Sequence, residues 1–88
     1  MDKTRLVNLA SDLLIKVAHS DLEMNMEIRN YDGGELGVNL IHFDDRYKKD
    51  CKILSIYHWQ DDEDIIAKFE QMKDVIAGER LIENERNT

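Results

Sequence analysis

The 88-residue chain contains no proline and one cysteine, Cys51. A lone cysteine cannot form an internal disulfide, and such cysteine usage is typical of the reducing cytoplasm. No apolar run approaches the roughly 18 residues of a membrane span. The N-terminal stretch lacks the uninterrupted apolar core of a signal peptide. We therefore expect a cytoplasmic protein that neither spans a membrane nor relies on disulfides.

Basic residues are outnumbered, with 12 Lys and Arg against 19 Asp and Glu and a net charge of −7. Binding to a phosphate backbone needs clustered Lys and Arg, so direct nucleic-acid binding is not expected. The acidity suits a basic protein partner, including one that itself binds nucleic acid. The simpler interpretation is that the charge keeps a small protein soluble. The chain is short enough for a single domain over residues 1–88, with a polar tail at 83–88 expected to fray.

Two stretches have the three- and four-residue apolar spacing of amphipathic helices. The first is predicted over residues 3–19, with Asp2 or Thr4 as its N-cap. The second begins after Asp61, with acidic residues at the positive end of its dipole. Gly78 either ends or interrupts it. The apolar positions are Leu6, Leu9, Ala10, Leu13 and Val17 in the first helix, Ile65, Phe69, Met72 and Ile76 in the second, and Leu81 and Ile82 beyond it.

Three strands are predicted between the helices. The first alternates apolar and polar residues from Leu22 onward, the second covers Glu35–Phe43, and the third covers residues 51–59. A hairpin turn that pairs Asn30 with Gly34 would set the first register. The predicted pairs are Ile28 with Leu36, Met26 with Val38, Met24 with Leu40, and then, between the second and third strands, Phe43 with Cys51, Ile41 with Ile53, Asn39 with Ser55 and Gly37 with Tyr57.

The order α-β-β-β-α predicts an α+β fold, a two-layer sandwich in which both helices cover one face of a three-stranded antiparallel meander. The side chains expected on that face are apolar: Leu22, Met24, Met26, Ile28, Leu36, Val38, Leu40, Leu54 and Ile56.

The opposite sheet face is the candidate partner-binding surface. The predicted registers place on it a group of large apolar side chains, namely Ile41, Phe43, Ile53, Tyr57 and Trp59. Exposed apolar patches mark interfaces, and Tyr and Trp are frequent anchors there. A bulge, a covering C-terminal segment or a slipped register would each hide the group. A homodimer that uses this aromatic face is the structural alternative.

A second candidate surface is an acidic edge made of Asp44, Asp45, Asp61, Asp62, Glu63 and Asp64. A small metal-binding protein or hydrolase is the rival hypothesis, in which His42 and His58 join these acids as ligands. Their spacing matches no ligand motif. We therefore assign no metal, no cofactor and no catalytic residue.

The order of elements is similar to that of double-stranded-RNA-binding domains, but the resemblance is topological only. Those domains present a Lys-rich start to their second helix, whereas this chain has Asp61, Asp62, Glu63 and Asp64 there. The leading hypothesis is a non-enzymatic protein that occupies the surface of another protein. Small acidic proteins of this kind include phage-type inhibitors, immunity proteins and nucleic-acid mimics.

Overall fold

The computed structural model describes residues 1–83. Its elements are α1 (Lys3–Ala18), β1 (Met24–Tyr31), β2 (Glu35–Phe43), β3 (Cys51–Tyr57) and α2 (Asp62–Ile76), with a 3₁₀ turn, Asp32–Gly34, between β1 and β2. The strands form one antiparallel sheet in the order β1-β2-β3. The predicted α+β fold is confirmed. Within residues 1–83, no helix combines the length and apolar character needed to cross a membrane.

The even-numbered side chains of the strands form the covered face, which packs against both helices. Val38, Leu40 and Ile56 are fully buried there, as are Leu6 of α1 and Ile65 of α2. Contacts of α1 with β1 and of α2 with β3 lay the two helices side by side over the sheet. The odd-numbered side chains point the other way and form what we call the open face.

The turn between β1 and β2 lies one residue later than predicted, and the register of the two strands differs from the predicted one by two residues. β1 continues to Tyr31, which pairs with Glu35. The turn falls later because Gly33 and Gly34 both adopt positive φ, at +84° and +81°, which glycine does without steric cost. A two-residue shift leaves every side chain on its predicted face. The observed pairs are Met24 with His42, Met26 with Leu40 and Ile28 with Val38.

The register of β2 with β3 is confirmed at every predicted pair, from Phe43 with Cys51 to Gly37 with Tyr57. The prediction that Leu22 belongs to the core is wrong. Leu22 precedes β1, which starts at Met24, and its side chain is 38% exposed.

The structure decides between the alternatives that the sequence left open at the ends of the helices. The Asp2 carboxylate accepts a hydrogen bond from the Arg5 N–H at 3.0 Å, so Asp2 is the cap of α1. Asp61 is the N-cap residue of α2, although its side chain makes no capping hydrogen bond. Gly78 has φ +79°, and the Glu79 N–H donates to the Asp74 carbonyl at 2.9 Å. This left-handed glycine ends α2.

The segment after α2 returns to the covered face. Ile82 is buried, as predicted, and its N–H donates to Tyr47 Oη at 2.7 Å. The N–H of Glu83, predicted as the first residue of a frayed tail, donates to Gln71 Oε1 at 2.9 Å. The rest of that predicted tail, residues 84–88, lies outside the described residues.

Candidate functional site

The five residues of the predicted binding surface all lie on the open face or directly beyond it. Phe43 is 38% exposed, Ile53 56% and Trp59 59%. Ile41 and Tyr57 are half-buried. Both helices lie on the covered face, so within residues 1–83 these side chains have no helix over them. The sequence-predicted group is therefore brought together on one surface.

An aromatic cluster occupies one end of the open face. The Tyr57 and Trp59 rings stack, with centroids 5.5 Å apart and an interplanar angle of 10°, and Tyr31 lies 5.9 Å from Tyr57. Gly37 makes this possible, because a Cβ at that position would lie 2.8 Å from Tyr31 Cε2 and 3.2 Å from the Tyr57 ring. The rings thus pack directly over backbone, and Trp59 forms the outer layer of the stack.

A polar row separates this aromatic cluster from a second apolar end of the open face. Asn39 is only 6% exposed, and its Nδ2 donates to Glu27 Oε2 at 2.9 Å and to Tyr31 Oη at 3.1 Å. The Arg29 guanidinium lies 5.0 Å from the centroid of the Tyr31 ring. Sequence reasoning missed the part played by Tyr31 because the predicted turn began at Asn30 and removed Tyr31 from the strand.

The second apolar end consists of Ile41, Phe43 and Ile53, which are neighbours across β2 and β3. Cys51 lies opposite Phe43 and is half-buried. The open face therefore carries two apolar areas of different character, divided by the hydrogen-bonded Asn39.

The predicted acidic edge is not a single edge. Asp44 and Asp45 follow the end of β2, whereas residues 61–64 follow the end of β3. Because β2 and β3 are antiparallel, the two groups lie at opposite ends of the sheet, separated by about 20 Å, the length of such a strand. We correct that prediction to two separate acidic areas.

The two acidic areas also differ in how their charges are paired. Asp44 accepts two hydrogen bonds from the Arg46 guanidinium, both at 2.8 Å, and these hold the pKa of Asp44 well below its usual range. Asp62 lies 3.1 Å from the Met1 amine and 3.9 Å from the Arg5 guanidinium. Asp45, Asp61, Glu63 and Asp64 are exposed, and no ion pair of theirs occurs within the described part of the chain.

The two histidines of the metal-binding hypothesis serve separate structural roles. His42 is 2% exposed, and its Nδ1 lies 2.8 Å from Tyr47 Oη. Burial lowers the pKa of His42; Asp44 opposes this shift and Arg46 adds to it. Nδ1 of His58 accepts the Leu36 N–H at 3.1 Å.

The positions of these histidines give the metal hypothesis no site. His42 pairs with Lys52 near one end of β2, and the His58 N–H donates to Leu36 near the other, about 20 Å away. Among residues 1–83, no three His, Cys, Asp or Glu side chains are grouped closely enough to hold an ion.

Tyr47 is a structural residue that the sequence did not single out. Its Oη accepts the Ile82 N–H and lies within hydrogen-bond distance of His42 Nδ1, so it joins the β2–β3 connection to the segment after α2. It lies within a charged loop, and nothing in its local spacing indicates burial.

A cleft of about 710 Å³ lies between the C-terminal ends of α1 and α2. Charges of both signs line it, including Lys16, Lys73, Asp74 and Glu79. Such a mixed rim selects no particular ligand charge. Comparisons of the chain with protein-family models, with curated proteins and with solved structures find no match.

Proposed function

We propose that this chain is a non-enzymatic binding protein whose open face occupies the surface of a basic protein partner. The observation that carries the proposal is the exposure of Phe43, Ile53 and Trp59 on the sheet face opposite both helices. A patch of this kind gains free energy when a partner removes it from water. An inhibitor or an immunity protein would act by such occupation alone.

Trp59 is the anchor that we expect to contribute most. It is 59% exposed, and its stacking on Tyr57 limits the side-chain freedom lost on binding. Large aromatic side chains with little conformational entropy to lose are typical of interface hot spots.

Charge favours a basic partner. Residues 61–64 follow Trp59 closely and are all acidic, and among them Asp61, Glu63 and Asp64 make no ion pair within residues 1–83. A basic rim around an apolar patch on the partner would complement this end of the open face. Such complementarity accelerates association and weakens as the salt concentration rises.

The test is affinity capture from cells of the source organism, followed by calorimetry with the purified partner. We expect Trp59→Ala to weaken binding by about 30-fold or more, since a hot spot contributes roughly 2 kcal/mol or more. Ile15→Ala is the matched control, because Ile15 is 60% exposed but lies on α1, on the other side of the molecule. This variant should bind as the wild type does.

Charge is tested with Glu63→Gln and Asp64→Gln together. Their removal should slow association and reduce its dependence on salt, while Trp59→Ala should act mainly on dissociation. Equal binding by the wild type and Trp59→Ala, or equal loss in Ile15→Ala, would refute the proposal.

A further inference from the structure

The outer edge of β3 presents backbone groups that the sheet does not use. The His58 N–H donates to the Leu36 carbonyl and the Asp44 N–H to the Asp50 carbonyl, so the hydrogen-bonded pairs of β2 and β3 are the even-numbered ones. In an antiparallel pair the alternate residues direct their N–H and C=O groups away from the neighbouring strand. In β3 those residues are Cys51, Ile53, Ser55 and Tyr57.

The chain caps one of the four residues itself. The Tyr57 N–H donates to Gln60 Oε1 at 2.9 Å, and the Tyr57 carbonyl accepts the Gln60 N–H at 3.1 Å. The outward groups of Cys51, Ile53 and Ser55 have no protein partner within the described residues. A free edge with apolar side chains is a template for pairing with another strand.

The connection before β3 carries charges of both signs, whereas the charged residues that follow β3 at 61–64 are all acidic. Lys48 and Lys49 precede the strand, both exposed and without an ion pair in residues 1–83, and the exposed acids Asp45 and Asp50 lie in the same connection. The unpaired acids Asp61 and Glu63 follow the strand. Antiparallel pairing of two such edges brings Lys48 and Lys49 of one copy toward the end of the other copy that carries Asp61 and Glu63.

The other edge of the sheet is protected. On the open face β1 carries Asn25, Glu27 and Arg29, and its one large ring there, Tyr31, packs against Tyr57 of the same chain. Charged residues on an edge strand are a common means of preventing pairing. The contrast with Ile53, which is 56% exposed at the middle of β3, selects the β3 edge.

We propose that a second copy of this chain pairs with the first through antiparallel β3 edges, on a two-fold axis at Ile53. This register places Ile53 opposite Ile53 of the second copy, and Cys51 opposite Ser55 of the second copy. In this register the outward N–H and C=O groups of Cys51, Ile53 and Ser55 all form hydrogen bonds to the second copy. Tyr57 keeps its hydrogen bonds to Gln60. The sheet becomes continuous across two copies, and the two open faces lie side by side.

The pairing uses the edge of β3, whereas the proposed function uses the open face, so the two can fail separately. Sedimentation equilibrium tests the first. We expect a dimer for the wild type and a dimer dissociation constant raised about 100-fold or more in Ile53→Lys, because two like charges then face each other on the axis. Ile15→Lys is the control with similar exposure on α1 and should remain dimeric. Circular dichroism verifies that both variants fold.

A second variant tests the charges without altering the open face. Lys48→Glu combined with Lys49→Glu should weaken the dimer about tenfold or more and reverse its response to salt. Adding Asp61→Lys and Glu63→Lys to the same chain should restore it. Trp59→Ala should lose the partner protein and keep the dimer.

The register is tested with Ser55→Cys. The hydrogen-bonded pair would hold this residue about 5.5 Å, Cα to Cα, from Cys51 of the second copy, which is suitable for a disulfide. Diamide should therefore cross-link the variant rapidly into a covalent dimer. Asn25→Cys, exposed on the β1 edge, should cross-link far more slowly. A monomeric wild type, an intact dimer in Ile53→Lys, or equal cross-linking of the two cysteine variants would overturn the proposal.

Discussion

The two faces of the sheet come from the same strands but differ in how far their apolar side chains are buried. On the covered face Leu40, Val38 and Ile56 are fully buried under α1 and α2. On the open face Ile53 and Trp59 are more than half exposed. Both helices pack on a single side, so a strand that is apolar on both sides has only one side covered. Apolar residues on the second side contribute little to the stability of the single chain.

The open face is nonetheless partly ordered by its own contacts. Asn39 is buried and donates hydrogen bonds to Glu27 and Tyr31, and the aromatic cluster packs over Gly37. The covered face is stabilised by the removal of apolar area, whereas the open face is held by a few directional contacts. That difference makes the open face the better candidate for recognition.

Among the substitutions that test the difference between the two faces, Leu54→Ala in β3 should have the largest effect. Leu54 points to the covered face and is 6% exposed. Leu54→Ala should lower the free energy of unfolding by about 3 kcal/mol, from the lost transfer energy and the cavity left behind. Urea denaturation at low protein concentration measures this. A loss below about 1 kcal/mol, the size expected at a partly exposed site, would contradict the assignment of the faces.

Tyr47→Phe tests whether a polar contact fastens the segment after α2 to the covered face. The substitution keeps the ring but leaves the Ile82 N–H, now bonded to Tyr47 Oη at 2.7 Å, without its acceptor. A buried unsatisfied donor costs about 1–3 kcal/mol. Hydrogen exchange at Ile82 should accelerate more than exchange within β2. Unchanged protection at Ile82 would show that apolar packing alone holds the segment.

The sequence predicted the fold because its periods differ clearly between the helices and the strands, although alternation weakens at the end of β2. Alternation in the strands and helical spacing on either side specified the element order and both faces. The β2–β3 register followed from the assumption that Phe43 pairs with Cys51, which the structure confirms, because alternation alone does not distinguish registers that differ by two residues. The prediction placed the hairpin turn one residue early, and so shifted the β1–β2 register by two, since Gly33 and Gly34 both allow positive φ and local chemistry did not decide between two turns. The shift was even, so the assignment of faces survived the error.

The candidate site was predictable in its apolar residues and not in its polar ones. Phe43, Ile53 and Trp59 follow from the alternation alone. The hydrogen bonds of Asn39 depend on cross-strand neighbours, which only the correct hairpin register supplies. The prediction of a single acidic edge was wrong. Asp44 and Asp45 precede β3 and residues 61–64 follow it, so the two groups are separated by the length of that strand.

Gly37→Ala tests the packing of the aromatic cluster on the open face. The added Cβ would lie 2.8 Å from Tyr31 and 3.2 Å from Tyr57, so the rings must move. Overpacking of this kind costs roughly 1–3 kcal/mol, and an outer face that can relax should lie near the lower limit. The fluorescence of Trp59 should change because its stacking partner is displaced. An unaltered spectrum would contradict the packing of the aromatic cluster.

The pH dependence of stability tests the covered face at His42. Burial lowers the pKa of this histidine, so below about pH 6.5 the unfolded chain takes up the proton more readily than the folded one. The free energy of unfolding should therefore fall as the pH drops from about 6.5 toward the lower pKa of the folded state. Asp44, whose pKa is also lowered, adds a further loss only below about pH 4.

His42→Gln isolates that contribution. Its stability should vary less between pH 6.5 and 5 than that of the wild type, in urea titrations at each pH. The acid-dependent loss below pH 4 should persist, because the Arg46 guanidinium and the Asp44 carboxylate remain. An identical pH profile between pH 6.5 and 5 would remove His42 as the titrating group.

The smallest effect is expected at Ile53, one residue from Leu54 and on the opposite face. Ile53→Thr retains β-branching, and thus strand propensity, while it removes apolar surface that is already 56% exposed. In the single chain the free energy of unfolding should change by less than about 0.5 kcal/mol, as for other surface substitutions. Measurement at low protein concentration separates folding from association. A loss comparable to that of Leu54→Ala would mean that Ile53 is buried in solution, so the open face would be a second core rather than a surface for recognition.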